Sequence, residues 1–279
     1  MSEDKPVWII IPMHGQNHLT DECIAWTRDR AGIKHKILVV DDCSPDPYQS
    51  KWSDVHVLRL KRHSGFTKAV NVGLRAIRNS GYEAVCLLNN DTVPQENFLK
   101  ALVLFARATP QAGIIGASRI GNREPYLEAG LGADLTTGEV WCTNNQDDFN
   151  EPMQGIWIPF CCVLLTEACV ESVGLLDEKL INHCSDNDYC LRAIFMDFAV
   201  ILEPKSKVFH HQSVTINSLS IQPYDDQITF ARKWFGVAMN EILEKMPINK
   251  PLNKWGRIGF KTETRGGEEL NPEPLIIKP

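Results

Sequence analysis

Short runs of apolar, mostly β-branched residues alternate with segments of helical periodicity through the first half of the chain. The apolar runs predict buried strands at residues 7–11, 37–40, 55–60 and 84–88. Between them, apolar residues recur at helical spacing and predict helices at residues 19–31, 66–79 and 97–108. Strands that alternate with helices indicate an α/β fold with a mostly parallel central sheet and helices on both faces.

The second half of the chain is less regular. Strands are predicted at 114–120 and 156–165, short extended pieces at 200–202 and 207–209, and helices at 167–173, 186–196 and 224–245. After Pro247 the chain is polar and rich in Pro and Gly, which is typical of a tail or a clasp.

Composition narrows the range of partners. The net charge of −6 argues against nucleic acid or an anionic membrane surface as the main partner. No apolar run reaches the roughly 20 residues of a membrane-spanning helix, and the polar N-terminus lacks the pattern of a signal peptide. Nine cysteines, an odd number without a Cys-x-x-Cys pair, indicate the reduced thiols of a cytoplasmic protein rather than disulfides or zinc ligands.

Three of the predicted strands end in polar residues. These residues are His14 after the first strand, Asp41 and Asp42 after the second, and Asn89, Asn90 and Asp91 after the fourth. In open parallel sheets, ligands bind outside the carboxyl ends of the strands. Asn and Asp also favour turns, which explains any single cluster equally well. The recurrence of such clusters at one edge favours a binding site there.

A series of short motifs follows the order of a known family. The motifs are VWIIIP (7–12), ILVVDDCS (37–44), HSGFTKAVNVG (63–73), LLNNDT (87–92), VGLLDE (173–178), SDNDYCLR (185–192) and VFHH (208–211). Over roughly residues 7–215 the chain resembles the family 2 glycosyltransferases of the GT-A fold, especially their rhamnosyltransferase-like branch. The resemblance implies an inverting, metal-dependent glycosyltransferase of the hexosyltransferase type, acting in polysaccharide or glycoconjugate synthesis.

The resemblance assigns the nucleotide-sugar donor to the first part of the chain. Asp42 matches the aspartate that accepts a hydrogen bond from the pyrimidine ring, a role that suits an acceptor-only carboxylate. The other residues that it implies at the donor are Pro12, His14, Asp41, Gly65, Lys68, Asn71, Asn89 and Asn90.

Several of these donor residues have specific implied roles. Pro12 and His14 match the segment along the base, and Asp41 is expected to reach the ribose. Gly65 is expected to let the backbone approach the donor. Lys68 would face the phosphates, although a solvated surface lysine is an equally good interpretation.

Two motifs imply a divalent cation, Mn²⁺ or Mg²⁺. Asp91 resembles the last aspartate of the Asp-x-Asp metal motif, in which Asn89 here replaces the first aspartate. Hard cations prefer oxygen ligands and often bind through a carboxylate and substrate phosphates. His210 resembles the histidine that completes the site, with His211 as the alternative ligand and a packed structural histidine as the competing interpretation.

Asp186 and Asp188 stand at i and i+2 near the start of a predicted helix, so they cannot share one helical face. By resemblance Asp186 is the catalytic base, while Asp188 braces the helix or lies on the acceptor side. Capping of the helix by both acids is the alternative. Trp157 resembles a residue of the acceptor-side strand and is a candidate stacking surface for a sugar.

The resemblance also divides the chain. Residues 1–117 form a nucleotide-sugar-binding half, 118–216 an acceptor-binding and catalytic half of the same domain, and 217–279 a C-terminal helix and extended tail. The expected partners are a dTDP- or UDP-sugar and a saccharide or lipid-linked acceptor, the latter met at the membrane surface.

Two other functions are alternatives to a transferase. A nucleotidyltransferase that makes nucleotide sugars is one, but residues 12–17 lack its Gly-rich, basic phosphate loop. A non-catalytic sugar-binding relative is the other. The joint presence of Asp91, Asp186 and His210 argues against it.

Overall fold

The computed structural model describes residues 5–120, 129–133, 140–143, 151–211 and 223–234, together with two short strands near the C-terminus. In chain order the strands are β1 (Val7–Met13), β2 (His35–Asp41), β3 (Val55–Arg59), β4 (Ala84–Leu88), β5 (Thr92–Pro94), β6 (Ala112–Ile120), β7 (Ala129–Ala133), β8 (Val140–Thr143), β9 (Met153–Gly155), β10 (Cys162–Thr166), β11 (Ala199–His210), β12 (Arg257–Ile258) and β13 (Ile276–Ile277). The helices are α1 (Asn17–Arg30), α2 (Phe66–Ile77), α3 (Phe98–Ala108), α4 (Glu167–Val173), α5 (Ser185–Phe195) and α6 (Pro223–Trp234), with a 3₁₀ turn at Arg78–Ser80.

The central sheet has nine strands in the order β3–β2–β1–β4–β10–β6–β11–β5, with β9 also paired to β11. Pairing is parallel from β3 through β4 and between β6 and β11, whereas β10, β5 and β9 pair antiparallel with their neighbours. Six of the nine strands therefore run in one direction. This confirms the prediction of a mostly parallel sheet.

Each face of the sheet carries its own apolar core. Along β1, Ile10 packs into one core and Ile9 and Ile11 into the other, because successive side chains of a strand point to opposite faces. The first core is covered by α2, α4, α5 and α6, and the second by α1 and α3. The prediction of helices on both faces is confirmed.

The predicted elements of the first half are confirmed to within two residues at each end. The predicted strand at 156–165 is wrong in its first part, because β10 begins only at Cys162 and the preceding residues are irregular. Pro159 lacks the N–H that a sheet ladder requires. Burial, rather than strand pairing, explains the apolar run, since Ile156, Trp157 and Ile158 belong to the first core.

Two further predictions for the second half change. The extended pieces at 200–202 and 207–209 belong to one strand, β11, whose pairing with β6 shifts register between Glu203 and Lys207. Helix α6 covers the first part of the predicted helix at 224–245. Residues 235–245 lie outside the described residues, as does the tail after Pro247 apart from β12 and β13.

Two absences concern the described residues alone. None of their helices is long and apolar enough to cross a bilayer. Each cysteine whose side chain is described is a free thiol.

Candidate functional site

A cavity of about 530 Å³ opens at the carboxyl edge of the parallel strands. Residues at or next to the ends of β1, β2, β4, β6 and β11 present side chains to this cavity. The predicted site residues that line this cavity are Pro12, His14, Asp42, Gly65, Asn89, Asn90, Asp91, Trp157, Asp186 and His210. The predicted residues that do not line it are Asp41, Lys68, Asn71 and Asp188.

Asp42 stands at the turn after β2 and is 3% exposed. The Ser64 N–H donates to both of its carboxylate oxygens, at 2.9 and 3.0 Å, and the Gly65 N–H donates to Oδ2 at 2.7 Å. These bonds hold the carboxylate against the start of α2. A carboxylate offers about four lone-pair sites, so acceptor capacity remains for a ligand in the cavity.

Gly65 connects this turn to the other side of the cavity. Its φ of 90° lies in the region that favours glycine. A Cβ atom at Gly65 would lie 2.5 Å from Cγ2 of Ile181. The close backbone approach is therefore to residues 181–183, which we name the 181–183 loop. This contact gives glycine a reason within the protein itself, and the approach of its backbone to the donor stays a prediction.

Two imidazoles lie together beside Asp42. The ring centroids of His14 and His63 are 3.8 Å apart, and their Nδ1 atoms are separated by 2.8 Å. Nδ1 of His14 is also 2.8 Å from the backbone carbonyl oxygen of Asp42. Because one neutral imidazole nitrogen either donates or accepts, the two Nδ1 atoms carry at most one proton between them when both rings are neutral and bonded to each other. His14 thus lines the cavity where the nucleobase is predicted to lie, and its neighbour His63 was not predicted from the sequence.

Asp91 and His210 meet at another part of the cavity wall. Nε2 of His210 lies 3.0 Å from Oδ1 of Asp91 and 3.4 Å from the amide nitrogen of Asn89. Nδ1 of His210 is buried without a hydrogen-bond partner. Asn90 is turned toward α1, where its amide donates to Oγ1 of Thr20 at 3.1 Å.

The donor set at this wall bears on the predicted cation. Within the described parts of the chain, no group of three or more His, Cys, Asp or Glu side chains could hold a metal ion. A carboxylate and an imidazole from Asp91 and His210 nevertheless fit an ion that takes its other ligands from substrate phosphates and water, as Mg²⁺ often does. His211 is less suitable, because it does not line the cavity and its ring packs edge-on against Phe209.

Asp186 lines the cavity from the first turn of α5. Its Oδ1 accepts the Asn187 N–H at 2.9 Å. Burial raises the pKa of Asp186 above its ordinary value, and the neighbouring backbone donors only partly oppose this effect. A raised pKa brings a carboxylate closer to the value of an effective general base at neutral pH.

Asp188 takes no part in the cavity. It is fully buried, and its carboxylate accepts from Arg192 Nε at 2.9 Å, Trp234 Nε1 at 3.0 Å and Lys233 Nζ at 2.7 Å. The expectation that it braces the helix agrees with this geometry. The expectation of an acceptor-side role does not, because the fully buried carboxylate does not line the cavity.

Asp41 is also outside the cavity. Its Oδ1 accepts the Ser44 N–H at 2.7 Å, and its Oδ2 accepts from Tyr48 N–H and from the Arg59 guanidinium. Burial by itself raises the pKa of Asp41, but these hydrogen bonds together outweigh it and hold the pKa below its ordinary value. The carboxylate stabilises the turn after β2 instead of reaching a ribose.

Lys68 and Asn71 face Glu178 and do not line the cavity. Nζ of Lys68 lies 3.9 Å from Oε2 of Glu178, in agreement with the alternative of a surface lysine. The Asn71 amide is fully buried, donates to Leu176 O at 2.9 Å and accepts the Leu176 N–H at 2.9 Å. Both residues therefore join α2 to the 173–178 segment.

Trp157 lines the cavity but is only 5% exposed. This leaves too little ring surface for a sugar to stack on. Its Nε1 is buried without a hydrogen-bond partner. The predicted stacking role is thus replaced by a place in the cavity wall.

Sequence reasoning missed several cavity residues. They are Met13, His63, Phe66, Ala69, Arg119, Pro159, Asn182, His183 and Ser185. Arg119 is the single Lys or Arg that lines the cavity among the described residues. It stands near the end of the predicted strand at 114–120, a signal that could have identified it.

Comparison with known proteins agrees with the resemblance to family 2 glycosyltransferases. The family model described as glycosyl transferase family 2 matches residues 8–157. The dTDP-rhamnosyl transferase RfbF of Shigella flexneri is 24% identical over 193 residues, which cover 66% of this chain and 64% of that protein. The O-antigen biosynthesis protein RfbC of Myxococcus xanthus is 24% identical over 251 residues, covering 82% of this chain but 19% of its own length. The chain thus spans less than two thirds of either relative.

Solved structures share the fold. GalNAc-T7, crystallised with UDP, GalNAc and Mn²⁺, has a TM-score of 0.67 at 13% identity over 85% of this chain and 49% of its own. Residues 1–349 of S. aureus TarS, in complex with UDP-GlcNAc, have a TM-score of 0.61 at 15% identity, over 86% and 69% of the two chains. The predicted GT-A fold is confirmed.

Proposed function

Because the chain belongs to glycosyl transferase family 2, we propose that it is an inverting glycosyltransferase that uses a nucleoside diphosphate sugar as donor. The observation that carries the proposal is one cavity that brings together Asp42, the Asp91–His210 pair and Asp186. Asp42 would accept a hydrogen bond from the nucleobase, and the Asp91–His210 pair would bind a cation at the phosphates. Asp186 would take the proton from the hydroxyl group that receives the sugar.

The donor would lie along the carboxyl edge of the sheet. Asp42 accepts from the ring N–H of a pyrimidine, since its oxygens are held in place by the start of α2. His14 lines the cavity next to it. The match to RfbF favours dTDP-rhamnose as the first donor to test, and UDP-sugars come second.

Asp91 and His210 would hold a divalent cation, Mn²⁺ or Mg²⁺, together with the donor diphosphate. When bound, such an ion offsets the negative charge that develops on the leaving group. Arg119 lines the same cavity and adds a fixed positive charge to it.

Asp186 would act as the base. Its carboxylate accepts the proton of an acceptor hydroxyl while that oxygen forms a bond to the anomeric carbon. The bond from the anomeric carbon to the diphosphate breaks in the same displacement, which inverts the configuration. The acceptor would be a saccharide or a lipid-linked saccharide hydroxyl, in keeping with the match to an O-antigen biosynthesis protein.

A panel of nucleotide sugars tests the proposal. Thermal unfolding is measured with dTDP-rhamnose, UDP-sugars and GDP-sugars, each with and without Mn²⁺, because a ligand that binds the folded state raises Tm by mass action. The best donor is then assayed for release of nucleoside diphosphate without acceptor. Stabilisation by one donor together with slow release supports a transferase, whereas neither effect with any donor would refute it.

A further inference from the structure

One buried carboxylate outside the cavity holds a part of its wall. Asp226 lies in the first turn of α6 and is 1% exposed. Its Oδ1 accepts the Ile181 N–H at 2.8 Å, and its Oδ2 accepts the Asn182 N–H at 2.9 Å and the His183 N–H at 2.7 Å. Three consecutive amides of the 181–183 loop thus converge on one side chain more than 40 residues away in sequence.

The same loop contacts the donor side of the cavity. Oδ1 of Asn182 accepts the Phe66 N–H at 2.9 Å, and the carbonyl oxygen of Ile181 accepts the Thr67 N–H at 3.1 Å. Ile181 also packs against Gly65, whose N–H holds Asp42. The loop therefore lies between α6 and the turn that orients the proposed base-recognition carboxylate.

The loop also leads into the helix that carries the proposed base. Asn182 and His183 line the cavity themselves. Cys184 follows with a left-handed φ of 58°, and α5 begins at Ser185 without a side-chain cap. The position of Asp186 thus depends on the loop that precedes it by three residues.

The other end of α6 is anchored as well. Trp234 Nε1 and Lys233 Nζ donate to the buried Asp188 of α5. Asp226 has no ion-pair partner among the residues that the structure describes. A buried carboxylate without a cation is costly unless its charge is used in hydrogen bonds, and charged acceptors make stronger hydrogen bonds than neutral ones.

We propose that Asp226 is a positioning residue for the transfer reaction. By holding the three amides of the 181–183 loop, it sets the approach of Asp186 to the acceptor and of the loop to the donor turn. The proposal rests on the proposed function, in which Asp186 is the base. It assigns to α6 a role in catalysis although none of the described side chains of that helix lines the cavity.

Asp226→Asn is the decisive variant, because it keeps the shape of the side chain but turns one acceptor oxygen into a donor that faces an amide. Asp225→Asn, at the exposed neighbour on the same helix, is the matched control. Asp226→Ser, which retains a single acceptor oxygen, replaces the first variant if that one fails to fold. Hydrogen exchange of residues 181–183, thermal unfolding, and steady-state hydrolysis of dTDP-rhamnose with Mn²⁺ are measured for each protein.

We expect the amide hydrogens of residues 181–183 to exchange at least tenfold faster in Asp226→Asn than in the control. We expect kcat to fall by about 10–100-fold with the donor KM changed less than about twofold, since small misplacement of a reacting group has effects of that order. The acid limb of the rate profile should also move to lower pH as water reaches Asp186. A purely structural residue would lower the folded fraction without moving this limb.

Unchanged exchange, or a kcat equal to that of Asp225→Asn, would overturn the proposal. If the wild-type protein itself hydrolyses none of the nucleotide sugars in the panel, the proposed function fails. The exchange measurement, made without donor or metal, still decides in that case whether Asp226 holds the loop.

Discussion

Nε2 of His210 lies 3.0 Å from Oδ1 of Asp91, although 119 residues separate the two in sequence. The antiparallel pairing of β11 with β5 causes this meeting, because it sets His210 opposite Thr92, the residue after Asp91. The His211 N–H also donates to the Asp91 carbonyl at 3.0 Å. The sheet register, rather than the local sequence, thus selects His210 as the partner of Asp91.

This relationship predicts which histidine matters for a metal. His210→Ala should weaken Mn²⁺ binding to the nucleotide complex by at least about tenfold. Loss of a residue that only orients a metal ligand typically weakens metal binding by about 10–100-fold, so loss of a direct ligand should cost at least as much. His211→Ala is the control and should leave Mn²⁺ affinity nearly unchanged, since that side chain does not line the cavity. Titration of Mn²⁺ in the presence of UDP or dTDP measures both. Equal affinities for the two variants would contradict the assignment.

Asp42 and Asp41 should differ although they are neighbours. Asp42→Asn should weaken UDP or dTDP binding by roughly 10–100-fold, the range expected for a hydrogen bond to a charged acceptor. Asp41→Asn should leave that affinity intact, because its carboxylate bonds to Ser44, Tyr48 and Arg59 and does not line the cavity. Calorimetric titration compares the two, and an equal loss of affinity in both would count against the site.

The difference in stability between wild type and Asp41→Asn should depend on pH. The folded protein holds the pKa of Asp41 below its ordinary value, so its charge stabilises the fold above about pH 3.9, the unfolded value, and the contribution is lost as pH falls through the folded pKa. Asp41→Asn should therefore unfold at lower temperature than wild type near pH 7, and the difference should shrink on acidification below pH ~4. A constant difference in Tm across this range would exclude the mechanism.

Asp186→Asn should abolish most of the transfer reaction. The amide keeps the shape but cannot take a proton, so kcat should fall by about 10²–10⁴-fold while donor affinity stays close to wild type. Asp188→Asn should act mainly on stability, because it disturbs a buried carboxylate with three donors. Rates and donor affinities of both variants are compared at equal folded fractions. Normal turnover by Asp186→Asn would reverse the assignment.

Asp186→Asn should also stabilise the folded protein. Burial raises the pKa of Asp186, so the neutral form is favoured and stability is lost as pH rises from the unfolded value of about 3.9 through the folded pKa. The amide of Asp186→Asn does not become charged as pH rises. The Tm of this variant should therefore exceed that of wild type near pH 7 but match it at low pH. Thermal unfolding across this range checks the sign, which a lower Tm at neutral pH would contradict.

The sequence by itself determined the layers of the fold and the edge at which the cavity lies. Periodicity separates strands from helices, because it reflects which side chains must leave water. Parallel strands that alternate with helices bring their carboxyl ends to one edge, so His14, Asp42 and Asp91 could be assigned to one region. The family motifs added the roles, in an order that periodicity cannot supply.

Only the tertiary structure decided which polar side chain faces the cavity and which bonds within the protein. Asp41 and Asp42 are chemically identical in sequence, yet one binds Arg59 and the other the amides at Ser64 and Gly65. Asp226 has no local signal, because its partners are the amides of the 181–183 loop. A buried carboxylate must find donors wherever the fold places them, and for these residues the donors come from segments distant in sequence.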